Sequence, residues 1–579
     1  MARQLETFPN LVSMFLTRAA AKGDAPFLWA KRGGAWQAVS WSEAARQVAA
    51  LAASLKRIGL QPGDRVMLVS ENRPEWLIAD LGIMAAGCVT VPTYTTNTTP
   101  DHAHIFGNSG AKAVIISTQK LATTLLPAVL FSSECHHIIG IEGLDIGQGM
   151  EGTTLHHWAE LVGGDGDVAA LGERMAGVTR SDLACIIHTS GTGGVPRGVQ
   201  QHHGAILHNV EACTDVIAND FGWDDEVFLS FLPASHAYEH SGGQHFPVGL
   251  GAQIYYAESL EKLAANIEEV RPTIMVVVPR LFEMLRARIL KSIDGGLSQY
   301  LLNRALAIGA DKAAGRRKPW DLPMDGILSL TLRRKVRAKF GGRIKAMVSG
   351  GAPLNPEVGL FFQSLGLTFL QGYGQTEAAP VISCNRPSVG IRMESVGPPL
   401  LNTEVRIAAD GEIMVRGENV MHGYWRNPEE TARVLQDGWL ATGDVGHFDD
   451  GGRIIITDRK KDLIVNDKGD NVSPQRIEGM LTLQPEIGQA MIYGDRKPHL
   501  VALLVPDSEF ADKPDVQQRL SAAVDRVSRG VSIIERVRRF ALADEPFTVD
   551  NEQMTPSLKI RRHVITAAYR ERLEALYRR

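Results

Sequence analysis

The sequence predicts a large layered α/β body followed by a small α+β domain. At 579 residues the chain is several times the length of a typical domain, which predicts more than one hydrophobic core. Short apolar runs rich in β-branched residues alternate with longer helix-like segments, a pattern typical of parallel strands joined by helices. From about residue 458 the alternation gives way to short strands, turn residues and charge.

The alternation is clearest near the N-terminus. "RVMLVS" at 65–70 predicts a strand, "EWLIADLGIMAAG" at 75–87 a helix, "CVTVPTY" at 88–94 the next strand, and "AKAVIIST" at 111–118 another. The runs "DLACIIHTS", "PTIMVVVP" and "RIKAMVSGGAP" continue the pattern. We therefore assign residues 1–457 to the large domain and 464–579 to the small one.

The charged run "DRKKD" at 458–462 lies where the strand–helix alternation ends and the charged, turn-rich sequence begins. By composition alone it is typical of a solvated turn, but its position favours a linker between the domains. We place a hinge at residues 458–463.

Composition excludes several classes of protein. The 61 basic and 65 acidic residues give a formal net charge of −4, so no broad positive field favours nucleic-acid binding. Five dispersed cysteines without a C-x-x-C pair indicate a reducing compartment and exclude a cysteine-rich zinc module. The N-terminus lacks signal-peptide character, and no apolar run reaches about 18 residues. We expect a cytoplasmic protein with membrane contact only at its surface, and either a monomer or a homodimer.

Two basic segments bear on that surface: "GRRKPW" at 315–320 and "LRRKVRAKFGGR" at 332–343. They could contact anionic lipid head groups on the inner face of a membrane. Runs of this kind are more often solvated helix faces, and composition favours that interpretation.

The segment "HTSGTGGVPRGV" at 188–199 predicts an anion-binding loop. Glycines let the backbone approach a ligand closely, and free N–H groups, hydroxyls and a cation supply donors for phosphate. A Walker A loop is excluded because Pro196 and Val199 stand where glycine and lysine would be needed, and Pro196 also breaks the dinucleotide fingerprint. A different phosphate loop and a glycine-rich surface turn both remain.

The loop is similar to the T-S-G-T-T-G-x-P-K-G loop of the AMP-forming adenylating superfamily, which includes acyl-CoA synthetases, adenylation domains and luciferases. Further motifs of that superfamily follow in order: "GYGQTE" at 372–377, "DGWLATGDVG" at 437–446, "DRKKD" at 458–462 and "TPSLKIRR" at 555–562. The resemblance spans roughly residues 20 to 565. It implies an αβαβα-type N-terminal body with a β-barrel-like subdomain, and a small mobile C-terminal domain.

The resemblance also implies a reaction in two halves. A carboxylic acid attacks the α-phosphorus of ATP to give acyl-AMP and pyrophosphate, and a thiol, usually that of CoA, then takes the acyl group. ATP, a fatty acid, CoA and Mg²⁺ are the implied partners, with no role for nucleic acid.

Site residues follow from the matching motif positions. For the phosphates the resemblance implies Thr189, Ser190, Gly191, Thr192, Gly193, Gly194 and Arg197. It implies Mg²⁺ binding by Glu377, an α-phosphate contact from Thr376, and ribose contacts from Asp444 and Arg459. The adenine slot is implied to consist of Ser349, Gly350, Gly351, Ala352, Pro353, Gln371, Gly372 and Tyr373, with Tyr373 stacking on the base. Gly374 and Gln375 are further implied contacts of the nucleotide.

Lys559 is the implied catalytic lysine. Its ammonium is cationic at neutral pH and can bridge the carboxylate and the α-phosphate as charge develops. Because it lies on the small domain, thiol entry requires that domain to rotate, with Asp458 as the implied hinge. His236 is a candidate at the acyl or CoA entrance and equally a structural histidine.

Two residues depart from the superfamily's loop. Gly193 stands where a second threonine is usual, and Arg197 stands where lysine is usual. Arginine keeps the charge but changes the geometry, so rate and nucleotide preference are in question rather than the reaction class.

The segments at 231–240, 271–285 and 460–478 resemble the long-chain fatty-acid branch, although His240 departs from it. A long-chain fatty-acid–CoA ligase is therefore the leading hypothesis. The alternatives are an acyl-AMP ligase that serves an acyl-carrier protein, a ligase for aromatic or bile-type acids, and a nucleotide-binding protein without activity.

Overall fold

The computed structural model describes residues 5–147, 152–189, 196–291, 295–316, 318–467, 471–555 and 560–578. Within these ranges the strands are β1 (Pro26–Arg32), β2 (Ala35–Ser40), β3 (Arg65–Val69), β4 (Val89–Pro92), β5 (Ala111–Ile116), β6 (His137–Gly140), β7 (Thr154–His157), β8 (Leu183–Thr189), β9 (Arg197–His202), β10 (Val227–Ser230), β11 (Gln253–Tyr256), β12 (Ile274–Val277), β13 (Ala346–Ser349), β14 (Phe369–Gly374), β15 (Val381–Cys384), β16 (Glu404–Ile407), β17 (Glu412–Arg416), β18 (Gly423–Tyr424), β19 (Leu435–Gln436), β20 (Trp439–Phe448), β21 (Ile454–Arg459), β22 (Ile464–Val465), β23 (Asn471–Val472), β24 (Ile487–Tyr493), β25 (Leu500–Pro506) and β26 (Val537–Leu542).

The α-helices of the same ranges are α1 (Leu11–Lys22), α2 (Trp41–Arg57), α3 (Pro74–Ala85), α4 (Thr99–Ser109), α5 (Gln119–Val129), α6 (Trp158–Val162), α7 (Val168–Met175), α8 (His203–Asp220), α9 (Ala237–Glu239), α10 (Phe246–Leu250), α11 (Leu263–Val270), α12 (Pro279–Lys291), α13 (Gly296–Ala313), α14 (Leu322–Leu330), α15 (Leu332–Lys339), α16 (Pro356–Ser364), α17 (Pro428–Val434), α18 (Pro474–Thr482), α19 (Val516–Arg529), α20 (Arg562–Ala568) and α21 (Arg570–Ala575). A π-helical turn, His240–His245, separates α9 from α10.

Two eight-stranded sheets form the large body. Their strand orders are β15-β14-β13-β12-β10-β11-β1-β2 and β18-β9-β8-β4-β3-β5-β6-β7. The predicted strands at 65–70, 88–94 and 111–118 are β3, β4 and β5, which pair in parallel, and the predicted helix at 75–87 is α3. The crossover helix between parallel strands that the alternation indicated is therefore present.

The largest apolar core lies between the two sheets. It joins Phe228 and Ile254 of one sheet to Val66 and Ile115 of the other, together with buried side chains of α1, α2, α3 and α8. Helices therefore fill the space between the sheets, as the expected αβαβα layering requires. Sheets covered on both faces need near-continuous apolar strands, and β3, β4 and β5 have them.

A third, five-stranded antiparallel sheet follows most strands of the two large sheets along the chain. Its order is β16-β17-β20-β19, with β21 added on β20. The C-terminal region has its own sheet, β24-β25-β26, and a separate apolar core that includes Ile477, Leu504 and Leu520. The structure thus has a large body and a smaller C-terminal unit, whereas the limits 457 and 464 remain predictions.

All five cysteines are free thiols. In the described part of the chain, no helix combines the length and apolarity that a membrane crossing requires.

A buried ionisable cluster fixes the π-helical turn to α3. His240 and His245 each place Nε2 3.0 Å from Oδ2 of Asp80, and all three side chains are fully buried. Burial opposes ionisation of Asp80, but the two imidazoles lower the pKa of its carboxyl well below the ordinary value. At the other side of the turn, Ser241 Oγ donates to the carbonyl of Ala379 at 2.9 Å. The cluster therefore connects α3 to the segment that follows Glu377.

Acid is expected to destabilise the protein below about pH 6.5. Burial lowers the pKa of both His102 and His203 to about 4, so the unfolded chain binds protons there before the folded chain does. Burial raises the pKa of Glu239 to about 8, which acts in the opposite direction. Burial also lowers the pKa of His188 to about 3. Three histidines outweigh one carboxyl, so the free energy of unfolding should fall by about 2 kcal/mol for each pH unit between 6.5 and 4.5.

The check is the melting temperature measured from pH 7.5 to pH 5, with His102→Gln as the comparison. Removing that imidazole should flatten the profile. A melting temperature that rises on acidification would contradict the expectation.

Candidate active site

A cleft of about 2670 Å³ runs between the large body and the C-terminal unit. Its walls include the ends of β8, β13 and β14, the strand pair β20 and β21, and residues of α18 and α20. Except for Ser349, every predicted site residue in the described ranges lines it: Thr189, Arg197, His236, Gly350, Gly351, Ala352, Pro353, Gln371, Gly372, Tyr373, Gly374, Gln375, Thr376, Glu377, Asp444, Asp458 and Arg459. The fold therefore brings together motifs that lie far apart in the sequence.

Strand pairing places Asp444 opposite Arg459. The two residues are register partners in the antiparallel pair of β20 and β21, and Arg459 Nε lies 3.2 Å from Asp444 Oδ1. The hydroxyl of Tyr373 donates to Asp444 Oδ2 at 2.7 Å. One carboxylate is thus held from two sides in a fixed orientation at the wall of the cleft.

Tyr373 has a second role beside the predicted stacking. Its side chain is buried in the apolar core of the five-stranded sheet, with 8% of its surface exposed. The hydroxyl is engaged with Asp444, so the structure assigns it the positioning of that carboxylate.

Glu377 lies in a tight turn after β14. Gln375 N–H donates to the carbonyl of Pro380 at 2.9 Å, and a Cβ at Gly374 would come within 1.9 Å of that same oxygen. Only glycine fits at position 374 without moving the backbone. The hydrogen bond from Gln375 closes the turn that contains Thr376 and Glu377, and it thereby fixes the backbone from which both side chains project.

Tyr424 on β18 orients the Glu377 carboxylate. The Tyr424 hydroxyl donates to Glu377 Oε1 at 2.8 Å, and Met421 N–H donates to the Glu377 carbonyl at 2.9 Å. Oε2 has no hydrogen bond within the described chain and belongs to a residue that lines the cleft. An oriented carboxylate oxygen at the wall of the cleft is a ligand that suits a hard cation such as Mg²⁺.

Arg197 begins β9 and is already paired. Its guanidinium bonds to Glu430 and lies 4.5 Å from the centre of the Tyr424 ring. Hydrogen bonds from Arg433, with the charge of Arg197, lower the pKa of Glu430 to about 2. Arg197 therefore shares its charge with an ionised carboxylate at the edge of the cleft.

The predicted adenine slot is formed by the end of β13 and by β14. A Cβ at Gly350 would lie 2.9 Å from the Tyr238 ring, so glycine is required where this segment passes the tyrosine. Within the described chain, Gln371 Oε1 and Gln375 Nε2 are buried without hydrogen-bond partners. Both side chains line the cleft, where a bound polar ligand could satisfy them.

Asp458 lies near the end of β21, opposite Val445. Its side chain is buried, which raises the pKa of the carboxyl above the ordinary value, and Oδ1 accepts from Arg459 N–H. Beyond it, Arg562 of α20 pairs with Glu478 of α18 at 2.6 Å, and both line the cleft. The segment around Asp458 thus connects the five-stranded sheet to the C-terminal unit, and its action as a hinge remains a prediction.

His236 caps the short helix α9. Its Nδ1 accepts from Tyr238 N–H at 3.1 Å, and its ring centre lies 6.4 Å from that of Tyr94 at the cleft wall. The structure gives it the capping contact that a structural histidine would make and also a place on the cleft.

Six predicted residues lie outside the described ranges: Ser190, Gly191, Thr192, Gly193, Gly194 and Lys559. Their roles stay predictions. The described residues on either side of the Lys559 segment, Thr555 and Ile560, both line the cleft.

The sequence prediction missed Tyr424 and Glu430. Tyr424 contacts a residue 47 positions earlier in the chain, and Glu430 contacts one 233 positions earlier. No local spacing indicates such partners, because they meet only when β18 pairs with β9 and when α17 and the turn after β14 pack against these strands.

Residues 15–425 match the family described as AMP-binding enzyme, and residues 461–579 match the family described as AMP-binding enzyme C-terminal domain. The long-chain-fatty-acid–CoA ligase FadD15 of Mycobacterium bovis is 32% identical over 574 residues, which cover 94% of this chain and 93% of that protein. The long-chain-fatty-acid–[acyl-carrier-protein] ligase AEE15 of Arabidopsis thaliana is 27% identical, over 93% of this chain and 82% of that protein.

Among solved structures, the A domain of a carboxylic acid reductase from Segniliparus rugosus, in complex with AMP and a co-purified carboxylic acid, is similar in fold. Its TM-score is 0.77 at 20% sequence identity, and the match covers 99% of this chain and 94% of that one. Identity at this level supports the fold alone.

Proposed function

Because this chain belongs to the AMP-binding enzyme family, we propose that it is an acid–thiol ligase that converts a long-chain fatty acid to its CoA thioester. The fatty-acid carboxylate attacks the α-phosphorus of ATP, which forms acyl-AMP and releases pyrophosphate. The CoA thiol then attacks the acyl carbon, which gives acyl-CoA and releases AMP. Relatives named long-chain-fatty-acid–CoA ligase, similar over nearly the whole chain, support this substrate class.

The observation that carries the proposal is that the fixed Asp444 carboxylate and the oriented Glu377 carboxylate line the same cleft. Asp444 accepts hydrogen bonds from the ribose hydroxyls of the nucleotide, and Tyr373 and Arg459 hold it in place to do so. Pre-set acceptors of this kind lower the entropy lost when the nucleotide is oriented for attack.

Mg²⁺ is the proposed metal, and Glu377 is the residue that would hold it, while the Thr376 hydroxyl contacts the α-phosphate. When bound, Mg²⁺ neutralises phosphate oxygens and so reduces the repulsion between ATP and the incoming carboxylate. Tyr424 keeps Glu377 Oε1 occupied, which leaves Oε2 as the oxygen available to the cation.

The acceptor and the acid remain to be tested against alternatives. The similarity to a ligase named for an acyl-carrier protein keeps that acceptor as a second candidate. Purified protein supplied with ATP, acids of graded chain length and either CoA or holo acyl-carrier protein separates these cases. Aromatic and bile-type acids belong in the same panel. A protein that binds nucleotide but releases no pyrophosphate with any acid would contradict the proposal.

Replacing Asp444 by asparagine is expected to raise the KM for ATP about 10- to 100-fold, since a charged acceptor bonds to hydroxyls more strongly than a neutral one by about 1 to 3 kcal/mol. The amide keeps the size of the carboxylate, so the fold should persist. Steady-state kinetics with varied ATP measure the change. Glu404→Gln, an exposed carboxylate at the start of β16, is the matched control, and equal effects of the two substitutions would count against a ribose contact.

Replacing Asp458 by proline is expected to depress thioester formation at least tenfold while adenylation stays measurable. Proline fixes φ and thereby restricts the domain rotation that thiol entry requires. Asp458→Ala removes the carboxylate without fixing φ and serves as the control. Exchange of pyrophosphate into ATP measures adenylation. Formation of acyl-CoA from supplied acyl-AMP measures the second half-reaction. Equal loss of both activities in the proline variant alone would contradict the hinge.

A further inference from the structure

Helix α14 presents an apolar face to solvent. Positions i, i+1, i+4, i+5 and i+8 share one side of a helix. The exposed residues of α14 have this spacing and are all nonpolar: Leu322, Pro323, Gly326, Ile327 and Leu330. Trp320, two residues before the helix, is 74% exposed, as is Leu330. We refer to Trp320 and the five helix residues as the apolar face of α14.

The carboxylates next to this face turn inward. Asp325 accepts from Lys312 at 2.7 Å and from Arg333 at 2.8 Å, and Asp321 accepts from Arg304 at 2.7 Å. An ordinary surface helix directs its charges to water and its apolar residues to the core. On α14 only Leu328 is buried, so the usual arrangement is largely inverted.

Exposed apolar side chains are concentrated in this part of the molecule. In the described ranges, eight of the eighteen large hydrophobic residues with the greatest exposure fall between Met284 and Leu330. Single exposed apolar residues are normal, but a cluster with basic neighbours indicates a contact surface.

The sequence next to the face is rich in basic residues. From Arg316 to Arg343 it has nine Lys or Arg residues and two acidic ones, in a chain whose net charge is −4. In the described part of the chain, four of the nine form ion pairs: Arg316, Lys318, Arg333 and Lys339. Arg334, Lys335 and Arg337 of α15 are exposed, and within the described chain they form no ion pair. This local excess of positive charge complements an anionic surface and would repel a second copy docked face to face.

We propose that the apolar face of α14, with the basic residues of α15, docks on the surface of a lipid bilayer that carries anionic head groups. The apolar side chains enter the boundary between head groups and acyl chains, and Arg334, Lys335 and Arg337 contact the phosphates. The inference does not depend on the proposed ligase activity, because the surface lies outside the cleft residues and its binding is measured without substrates.

The first test is flotation of the full-length protein with vesicles of phosphatidylglycerol and phosphatidylcholine, and with vesicles of phosphatidylcholine alone. Binding is expected only to the anionic vesicles, and 1 M salt should weaken it because the Debye length falls to about 3 Å. The double variant Trp320→Ser/Leu330→Ser should bind at least tenfold more weakly. Phe131→Ser, which removes a side chain 80% exposed elsewhere, should bind like the wild type.

The second test reverses charge. Each Lys or Arg near an anionic surface strengthens binding about fivefold, so Arg334→Glu/Lys335→Glu should lower the vesicle affinity more than tenfold. Arg538→Glu, at an exposed position on β26, is the matched control. The circular dichroism spectrum and the melting temperature of every variant should equal those of the wild type, which shows that each one folds.

Three results would overturn the proposal. The first is no binding of the wild type to anionic vesicles, and the second is equal binding of the face variants and their controls. The third is binding to neutral vesicles as strong as to anionic ones, with no effect of 1 M salt. If the wild type is a dimer that the Trp320→Ser/Leu330→Ser variant dissociates, while vesicle binding is absent, the face is a contact between two copies instead.

Discussion

Replacing Lys559 by alanine is expected to lower the rate of acyl-adenylate formation about a thousandfold. At about 4 Å and an effective dielectric constant near 20, one ammonium contact with the developing charge contributes roughly 4 kcal/mol. Alanine leaves the α-phosphate and the carboxylate without this cation at the point where their repulsion is greatest. Fatty-acid-dependent exchange of pyrophosphate into ATP measures the rate directly.

Two controls separate catalysis from folding. Lys513→Ala removes an exposed lysine of the same C-terminal unit and should leave the exchange rate unchanged. Transfer to CoA from supplied acyl-AMP should survive in the Lys559 variant. Thiol entry requires the small domain to rotate, and Lys559 moves with that domain. An exchange rate equal to that of the wild type would require a different catalytic residue.

Replacing Asp80 by alanine is expected to destabilise the large body by about 3 to 5 kcal/mol, which is typical when one partner of a buried ionic cluster is removed. His240 and His245 would lose the oxygen that both Nε2 atoms contact at 3.0 Å, with no exposure to water. For a body of this size the melting temperature should fall by about 4 °C.

Asp80→Asn keeps an oxygen acceptor in the same place and should cost less than alanine, while Asp512→Ala, at an exposed position, should cost almost nothing. Thermal unfolding followed by circular dichroism compares the three variants. Ser241 of the π-helical turn donates to the carbonyl of Ala379. Loss of the cluster should therefore also increase the mobility of the turn that contains Glu377. Equal melting temperatures for Asp80→Ala and the wild type would show that the cluster does not stabilise the fold.

The two predictions concern different levels of the molecule. Lys559 was predicted from its position in the motif at 555–562. An ammonium there can stabilise the charge that develops on the carboxylate and the α-phosphate. The Asp80 cluster had no motif. Its three residues are separated by up to 165 positions and meet only because the π-helical turn packs on α3.

Much of the fold was predictable from pattern. The apolar runs at β3, β4 and β5 predicted strands because their side chains are buried on both faces of a covered sheet. The motif residues were predicted as a set because five motifs resemble those of the adenylating superfamily in the same order, and the donors and acceptors at the matching positions suit phosphate, ribose and a cation. The glycines at 350 and 374 were predictable as sites of close approach, although what they approach was not.

The sequence by itself predicted the reaction chemistry, including the residues assigned to phosphate, metal and ribose, and determined that alternating strands and helices must carry them. Only the tertiary structure decided how those residues are held. Tyr373 on Asp444, Tyr424 on Glu377 and Glu430 on Arg197 are contacts over 47 to 233 positions, set by how distant elements pack together. The outward apolar face of α14 belongs to the same class, because exposure depends on what packs against a helix, and a sequence pattern records only the spacing.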